Sequence, residues 1–183
     1  TFLTQDRGLS IQTAAIVVAA SEIAGGIVGT LLAGWATDKF FKSKAHQTCL
    51  VGLVGATICF AIFWMLPKDA TAMTIISVVM ASFFIYMPQA LIGIACSNHA
   101  TKRVAASANG VAGIFGYAST TVSGLAFGLL ADNLGWNSVF EVSIAFGVIG
   151  IIILALIWKA PADGYKKADS ILAELKAEYN VGR

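Results

Sequence analysis

The stretch Gly29-Thr30-Leu31-Leu32-Ala33-Gly34-Trp35-Ala36-Thr37-Asp38-Lys39-Phe40-Phe41-Lys42-Ser43-Lys44 decides how this chain is built. A long apolar run ends there in one acid followed closely by three lysines. That junction has the character of a helix leaving a bilayer on its basic side. It also holds a compact G-x-x-x-D-K pattern, Gly34 to Lys39, that a generic helix end does not need.

The rest of the chain agrees. Its 183 residues are 57% hydrophobic and 12% charged, with mean hydropathy +0.79. A soluble domain carries about 25% charged residues, so this composition points to an all-α integral membrane protein. A net charge of +2 is too small to suggest a nucleic-acid partner. Cys49, Cys59 and Cys96 sit in apolar runs without metal-ligand spacing and read as small core hydrophobes. The chain starts Thr1-Phe2-Leu3, without an initiator Met or a signal-peptide pattern, as expected of a piece of a longer protein.

Residues 1–12 read as a polar leading loop. Five apolar segments follow, at about 13–35, 48–66, 72–97, 104–130 and 139–158. Each is near or above the ~20 residues that span ~30 Å of hydrocarbon as a helix. Strands of a barrel would be about half as long and would alternate. The lysines and arginines divide ten to two between alternate sides. The positive-inside rule then places the C-terminus in the cytoplasm and the Thr1 side in the periplasm. Trp35, Trp64, Trp136 and Trp158 fall near segment ends, as interfacial aromatics do. In the tail, 159–183, Pro161 and Gly164 break the chain. Ile171, Leu172, Leu175 and Tyr179 then share one face of a short amphipathic helix. That helix lies on the membrane surface or on the bundle, or docks a partner.

Few positions inside the segments carry chemistry. All twelve lysines and arginines lie in predicted loops or the tail. This chain alone therefore offers no cation to an anion held at mid-membrane. Glu22 is the acid well inside a segment. Such a carboxylate is costly and serves as a coupling site, as partner to a cation elsewhere, or as a protonated structural group. Gly25, Gly26, Gly29 and Ala33 lie on the same side as Glu22 and suit close helix approach. Ser82, Tyr86, Gln89 and Gly93 share a face of the third segment, where Pro88 removes one backbone hydrogen bond and introduces a kink. That face lines a cavity or makes interhelical hydrogen bonds. Asn109, Gly113, Tyr117, Thr120, Thr121, Gly124 and Gly128 form a polar and small-residue stripe on the fourth. It lines an aqueous path or forms a packing seam. His46 and His99 read as surface loop histidines. No metal set, phosphate loop or catalytic constellation is present, which argues against an enzyme and for no cofactor.

The Gly34–Lys39 turn with Lys42 resembles the helix-loop signature of the major facilitator superfamily. Four stretches resemble, more narrowly, its organophosphate:phosphate antiporter family: Glu22 to Lys39 (EIAGGIVGTLLAGWATDK), Phe84 to Ile94 (FIYMPQALIGI), Ala108 to Tyr117 (ANGVAGIFGY) and Gly128 to Trp136 (GLLADNLGW). The resemblance implies the major facilitator fold, with five helices of the C-terminal six-helix bundle, in a bacterial inner membrane. It implies exchange of inorganic phosphate for a phosphate ester, with the N-terminal bundle of the same transporter as the missing partner. Two arginines that hold phosphate in that family lie outside this sequence. Tyr86 and Tyr117 match family tyrosines near the substrate, and Gln89 and Asn109 follow as weaker candidates. Gly34, Asp38 and Lys39 become a conformational latch, and Glu22 a coupling or ion-pair residue. A proton-coupled symporter and a transport-dead phosphate-ester sensor are the rival readings.

Overall fold

The computed structural model describes residues 2–67, 69–100, 104–162 and 165–181. The side chains of 165–169, 180 and 181 are not described. Thr1, Lys68, Lys102, Arg103, Gly164 and Arg183, used in the charge and boundary reading, therefore lie outside the described residues, as do the side chains of Lys166 and Lys167.

The described residues form helices α1 (Phe2–Gln5), α2 (Ile11–Glu22), a π-helical segment (Ile23–Gly29), α3 (Thr30–Phe40), α4 (Ala45–Met65), α5 (Thr71–His99), α6 (Ala105–Leu134), α7 (Trp136–Leu156) and α8 (Tyr165–Val181). From Ile11 to Phe40 the α2, π and α3 segments run as one span; with α4, α5, α6 and α7 this makes five helices long and apolar enough to cross a membrane. Their outer faces carry Ile, Val, Leu and Phe, more than half exposed at Ile11, Leu31, Phe115, Leu125 and Ile153. Such a surface is stable against lipid, where each backbone group is satisfied within its own helix.

The number of spans matches the expected five, and their ends differ: α4 and α7 stop at Met65 and Leu156, short of 66 and 158, while the other three run past their expected ends. The first span extends past Trp35 because Asp38 and Lys39 continue the helix to Phe40. The third reaches His99 and the fourth Leu134. Local chemistry closes each end. Ser10 Oγ accepts from the Thr13 N–H at 3.1 Å and caps α2. After α3 the Ser43 N–H reaches back to the Thr37 carbonyl at 3.0 Å, with Lys42 and Ser43 at φ 50° and 63°. Gly135, at φ 82°, turns α6 into α7 in a single residue.

Two readings need correction. The leading segment is not simply a polar loop: Phe2–Gln5 form α1, and residues 6–10 are turn and coil packed on the bundle. Phe2 stacks edge-on against Phe63, Trp136 and Phe140 at centroid distances of 5.0–5.5 Å. Arg7 donates at 3.0 Å to the carbonyls of Phe63, Leu66 and Pro67. They cluster at the end of α4, where the Leu66 N–H also reaches the Phe63 carbonyl at 3.4 Å and the Ala70 N–H the Pro67 carbonyl at 3.1 Å, and the cation complements the helix dipole. His46 is not a surface residue either. It is buried in the first turn of α4, its Nε2 lying 3.3 Å from the Trp158 carbonyl, to which Gln47 Nε2 also donates at 2.9 Å. The end of α7 thus needs a polar partner, and α4 supplies one.

The bundle is organised on α5, which packs against α4 on one side and against α2, the π segment and α3 on the other. Its core holds Ala33, Ala45, Cys49, Met87 and Leu91. Next to it Thr37 Oγ1 donates to Thr48 Oγ1 at 2.7 Å, joining α3 to α4. Helix α6 borders α5 and α7 but has no buried residue.

Candidate functional site

The site starts from a backbone anomaly. Glu22 ends α2, and the next seven residues, Ile23–Gly29, wind as a π-helix before α3 begins. A π turn carries an extra residue per turn and is frequent at functional positions. Thr30 Oγ1 folds back onto the Gly26 carbonyl at 2.5 Å, so the side chain takes up an acceptor in this irregular stretch.

Glycine is what the neighbouring helix requires here. A Cβ at Gly25 would lie 2.8 Å from the Ser82 carbonyl oxygen, and one at Gly29 2.8 Å from the Phe83 carbonyl oxygen. On the opposite side of α5, a Cβ at Gly52 would meet Met87 Cβ and Pro88 Cδ at 2.9 Å and the Phe84 carbonyl oxygen at 3.0 Å. Pro88 has no N–H for the Phe84 carbonyl four residues earlier. That freed oxygen faces the Gly52 backbone. Helix α5 remains a single helix through Pro88. Residues 82–88 are therefore held in glycine notches from two sides.

This grip positions Tyr86. Its hydroxyl donates to the Glu22 carboxylate, and its ring lies against Gly25 and Gly26. The two candidates that sequence placed on separate segments are one hydrogen-bonded pair. Glu22 is exposed on the bundle surface. Beyond Tyr86 on the same helix, Gln89 is exposed. One turn further, Gly93 admits the Asn109 side chain of α6, whose Oδ1 would lie 3.0 Å from a Cβ there. Tyr117 stands two turns beyond Asn109 and is 81% exposed. A Cβ at Gly110, Gly113, Gly116, Gly124 or Gly128 would meet nothing within 4 Å. Apart from Asn109, which meets α5 at Gly93, the small-residue stripe of α6 makes no glycine seam with a described helix. It faces open space, beside a cavity of about 480 Å³ lined by Ser119, Thr120, Ser123, Phe127 and Phe146 among others.

The G-x-x-x-D-K pattern lies apart from this surface. A Cβ at Gly34 would also meet nothing within 4 Å, so no described residue packs closely on it. Asp38 is exposed and accepts from Ser43 Oγ at 2.9 Å. Lys39 Nζ sits 4.7 Å from the Trp35 ring centroid. The acid at an unfavourable helix end is thus bound locally to the turn that follows it. Among the described residues no group of three or more His, Cys, Asp or Glu is placed to hold a metal.

Sequence reasoning missed three features: the Glu22–Tyr86 pair, the π winding and the Arg7 clasp. The run Gly25-Gly26 beside an acid was the available signal for the first two. An arginine six residues before a predicted span was the signal for the third.

The surface presents uncharged polar groups and one carboxylate within an apolar bundle. The family model described as Major Facilitator Superfamily matches residues 1–177. The chain is 33% identical over 163 residues to the glycerol-3-phosphate transporter of Bacillus subtilis (strain 168), covering 86% of this chain and 36% of that protein. It is 29% identical over 154 residues to the membrane sensor protein UhpC of Escherichia coli (strain K12), covering 84% and 35%. It is 29% identical over 175 residues to the probable hexose phosphate transport protein of Chlamydia trachomatis serovar D, covering 91% and 36%. The chain spans about a third of the length of these relatives.

Proposed function

The chain belongs to the major facilitator superfamily, and on that premise we propose that it forms part of a carrier exchanging a phosphorylated organic metabolite for inorganic phosphate. The observation that carries the reading is the uncovered polar surface built by Glu22–Tyr86, Gln89, Asn109 and Tyr117 within an apolar bundle. Relatives that are transporters of glycerol-3-phosphate and hexose phosphate support the substrate class.

The mechanism follows from charge. A phosphate ester entering the midplane needs cations, and every lysine and arginine of this chain lies outside its apolar segments or at their ends. Segments of the carrier outside this sequence supply them. Tyr86 and Tyr117 add hydroxyl donors, and Gln89 and Asn109 add amide donors. An anion approaching Tyr86 competes for the proton now directed at Glu22. Substrate binding therefore frees that carboxylate to pair with a cation across the cavity. Such an exchange makes closure depend on substrate, as alternating access between two bundles requires. Gly34, Asp38 and Lys39 form the latch on the basic side, which is the cytoplasmic side of a bacterial inner membrane, and the Thr1 side is periplasmic.

The test is counterflow. The intact carrier, in liposomes loaded with inorganic phosphate, takes up labelled phosphate ester without a pH gradient. Uptake that instead requires a pH gradient and no internal phosphate overturns exchange in favour of proton coupling through Glu22. A second reading rests on the similarity to a membrane sensor: ligand binding with no flux in the same liposomes would select it.

A further inference from the structure

We propose that the first span, Ile11–Phe40, packs on α5 in two registers one residue apart, and that the Tyr86–Glu22 hydrogen bond selects the π-wound register. The inference rests on the packing of that span and not on the identity of the transported solute.

The argument starts from which residues the span covers. Within Ile11–Glu22, Ala14 is half-buried, Val17 and Ser21 are buried, and the rest are exposed. Gly25, buried in the π segment, continues their line. A π turn holds one residue more than an α turn. Winding Ile23–Gly29 as an α-helix would therefore turn everything before it by about 100° and bring each residue into the place of the one before it. The places of Ala14, Val17, Ser21 and Gly25 would pass to Ala15, Val18, Glu22 and Gly26. Three of these four exchanges are between identical residues. The notch against the Ser82 carbonyl, where a Cβ would lie 2.8 Å from the oxygen, holds a glycine in either register. Packing on α5 thus separates the two registers at one place, where Ser21 would give way to Glu22.

A π winding is rare and needs something to hold it. Its hydrogen bonding is irregular: the Thr30 N–H donates to the Ile27 carbonyl, and the Thr30 hydroxyl covers the Gly26 carbonyl at 2.5 Å. In the α register the Thr30 amide would take that Gly26 carbonyl, four residues back. Regular helix bonding therefore favours the α register. Two things oppose it. The Tyr86 hydroxyl donates to Glu22, and in the α register it would meet Ile23 instead. The Glu22 carboxylate would also enter the place of Ser21, which is 5% exposed, where an apolar setting disfavours charge. The bond to Tyr86 and the exposure of Glu22 hold the π register together. Loss of the bond releases the turn and re-aims the carboxylate, while α3 keeps its seat on α4 and α5.

The test is double electron–electron resonance on the intact carrier in nanodiscs, in a cysteine-free background. Spin labels are placed in two pairs, Ile16 with Met65 and Ile16 with Leu134, all at exposed positions. A turn of about 100° at a radius of about 6 Å carries position 16 by about 9 Å, so at least one of the two distances should change by several Å. Each pair lies within one bundle, so rocking of bundles does not contribute. Tyr86→Phe and Glu22→Ala should each populate a second distance, Glu22→Ala the more, because it also removes the charge from the place of Ser21. Adding Gly26→Ala to either should abolish it. In the π register a Cβ at 26 meets Tyr86 Cε1 at 3.9 Å, whereas in the α register it would enter the notch at Ser82. The distance from Leu31, beyond the turn, to Met65 should stay fixed. Unchanged distances in both Tyr86→Phe and Glu22→Ala overturn the proposal. So does a second distance that persists with Gly26→Ala, or one matched by an equal change at Leu31.

Discussion

Substituting Gly25→Ala tests whether α5 rests on glycine backbone. The added Cβ would lie 2.8 Å from the Ser82 carbonyl oxygen and 2.9 Å from its carbon, both backbone atoms that no rotamer change can move. Ordinary contact begins near 3.5 Å, so the helices must part by about 0.7 Å. Overpacking of this kind costs about 1–3 kcal/mol. At roughly 2–4 °C per kcal/mol for a domain of this size, an effect of about 2 kcal/mol lowers Tm by about 4–8 °C. The same methyl presses on the Tyr86 ring and displaces its hydroxyl from Glu22. Gly34→Ala provides the internal control, because its Cβ would meet nothing within 4 Å and alanine is the better helix former by about 1 kcal/mol. Thermal unfolding of the intact carrier in one detergent compares the two. Unchanged melting for Gly25→Ala, or an equal loss for Gly34→Ala, would refute the reasoning.

Other substitutions probe separate contacts. Arg7→Ala removes all three carbonyl bonds at the end of α4 and should cost about 2–3 kcal/mol, read as a lower Tm, with Arg7→Lys recovering part of it. Thr48→Val breaks the buried bond with Thr37; the average worth of such interhelical bonds in membranes, about 0.6 kcal/mol, predicts a Tm shift of roughly 1–3 °C. Tyr86→Phe and Tyr117→Phe each remove one hydroxyl from the proposed substrate surface. Each should weaken phosphate-ester affinity by roughly tenfold, equivalent to about 1.4 kcal/mol, while wild-type affinity and rate in both variants would exclude those hydroxyls as ligand contacts.

The five spans were legible because length and hydropathy alone specify a helix in lipid. Their ends were not, since Asp38 and Lys39 look like loop residues yet complete the last turn of α3. The G-x-x-x-D-K turn and the motifs on α5 and α6 carried the family, and the comparison with known proteins agrees. Helical periodicity placed Glu22 beside Gly25 and Gly29, and placed Tyr86 on one face of α5. It could not pair Glu22 with Tyr86, because that bond depends on a close approach set by Gly25, Gly29, Gly52 and Pro88 together. The π winding was invisible for a related reason: Ile23–Gly29 is as apolar and small as the α-helical residues around it. His46 was misread because a polar residue near a segment end resembles a loop residue, while its partner, the Trp158 carbonyl, is more than a hundred residues away.

The central claim is that substrate binding and internal phosphate drive one exchange through the Glu22–Tyr86 surface. Counterflow of labelled phosphate ester in phosphate-loaded liposomes, with the wild-type carrier and with Glu22→Gln, tests it most directly. The account predicts robust exchange in the wild type and, in the variant, retained ester binding with exchange reduced at least tenfold. Full exchange by Glu22→Gln, or wild-type uptake indifferent to internal phosphate, would contradict it.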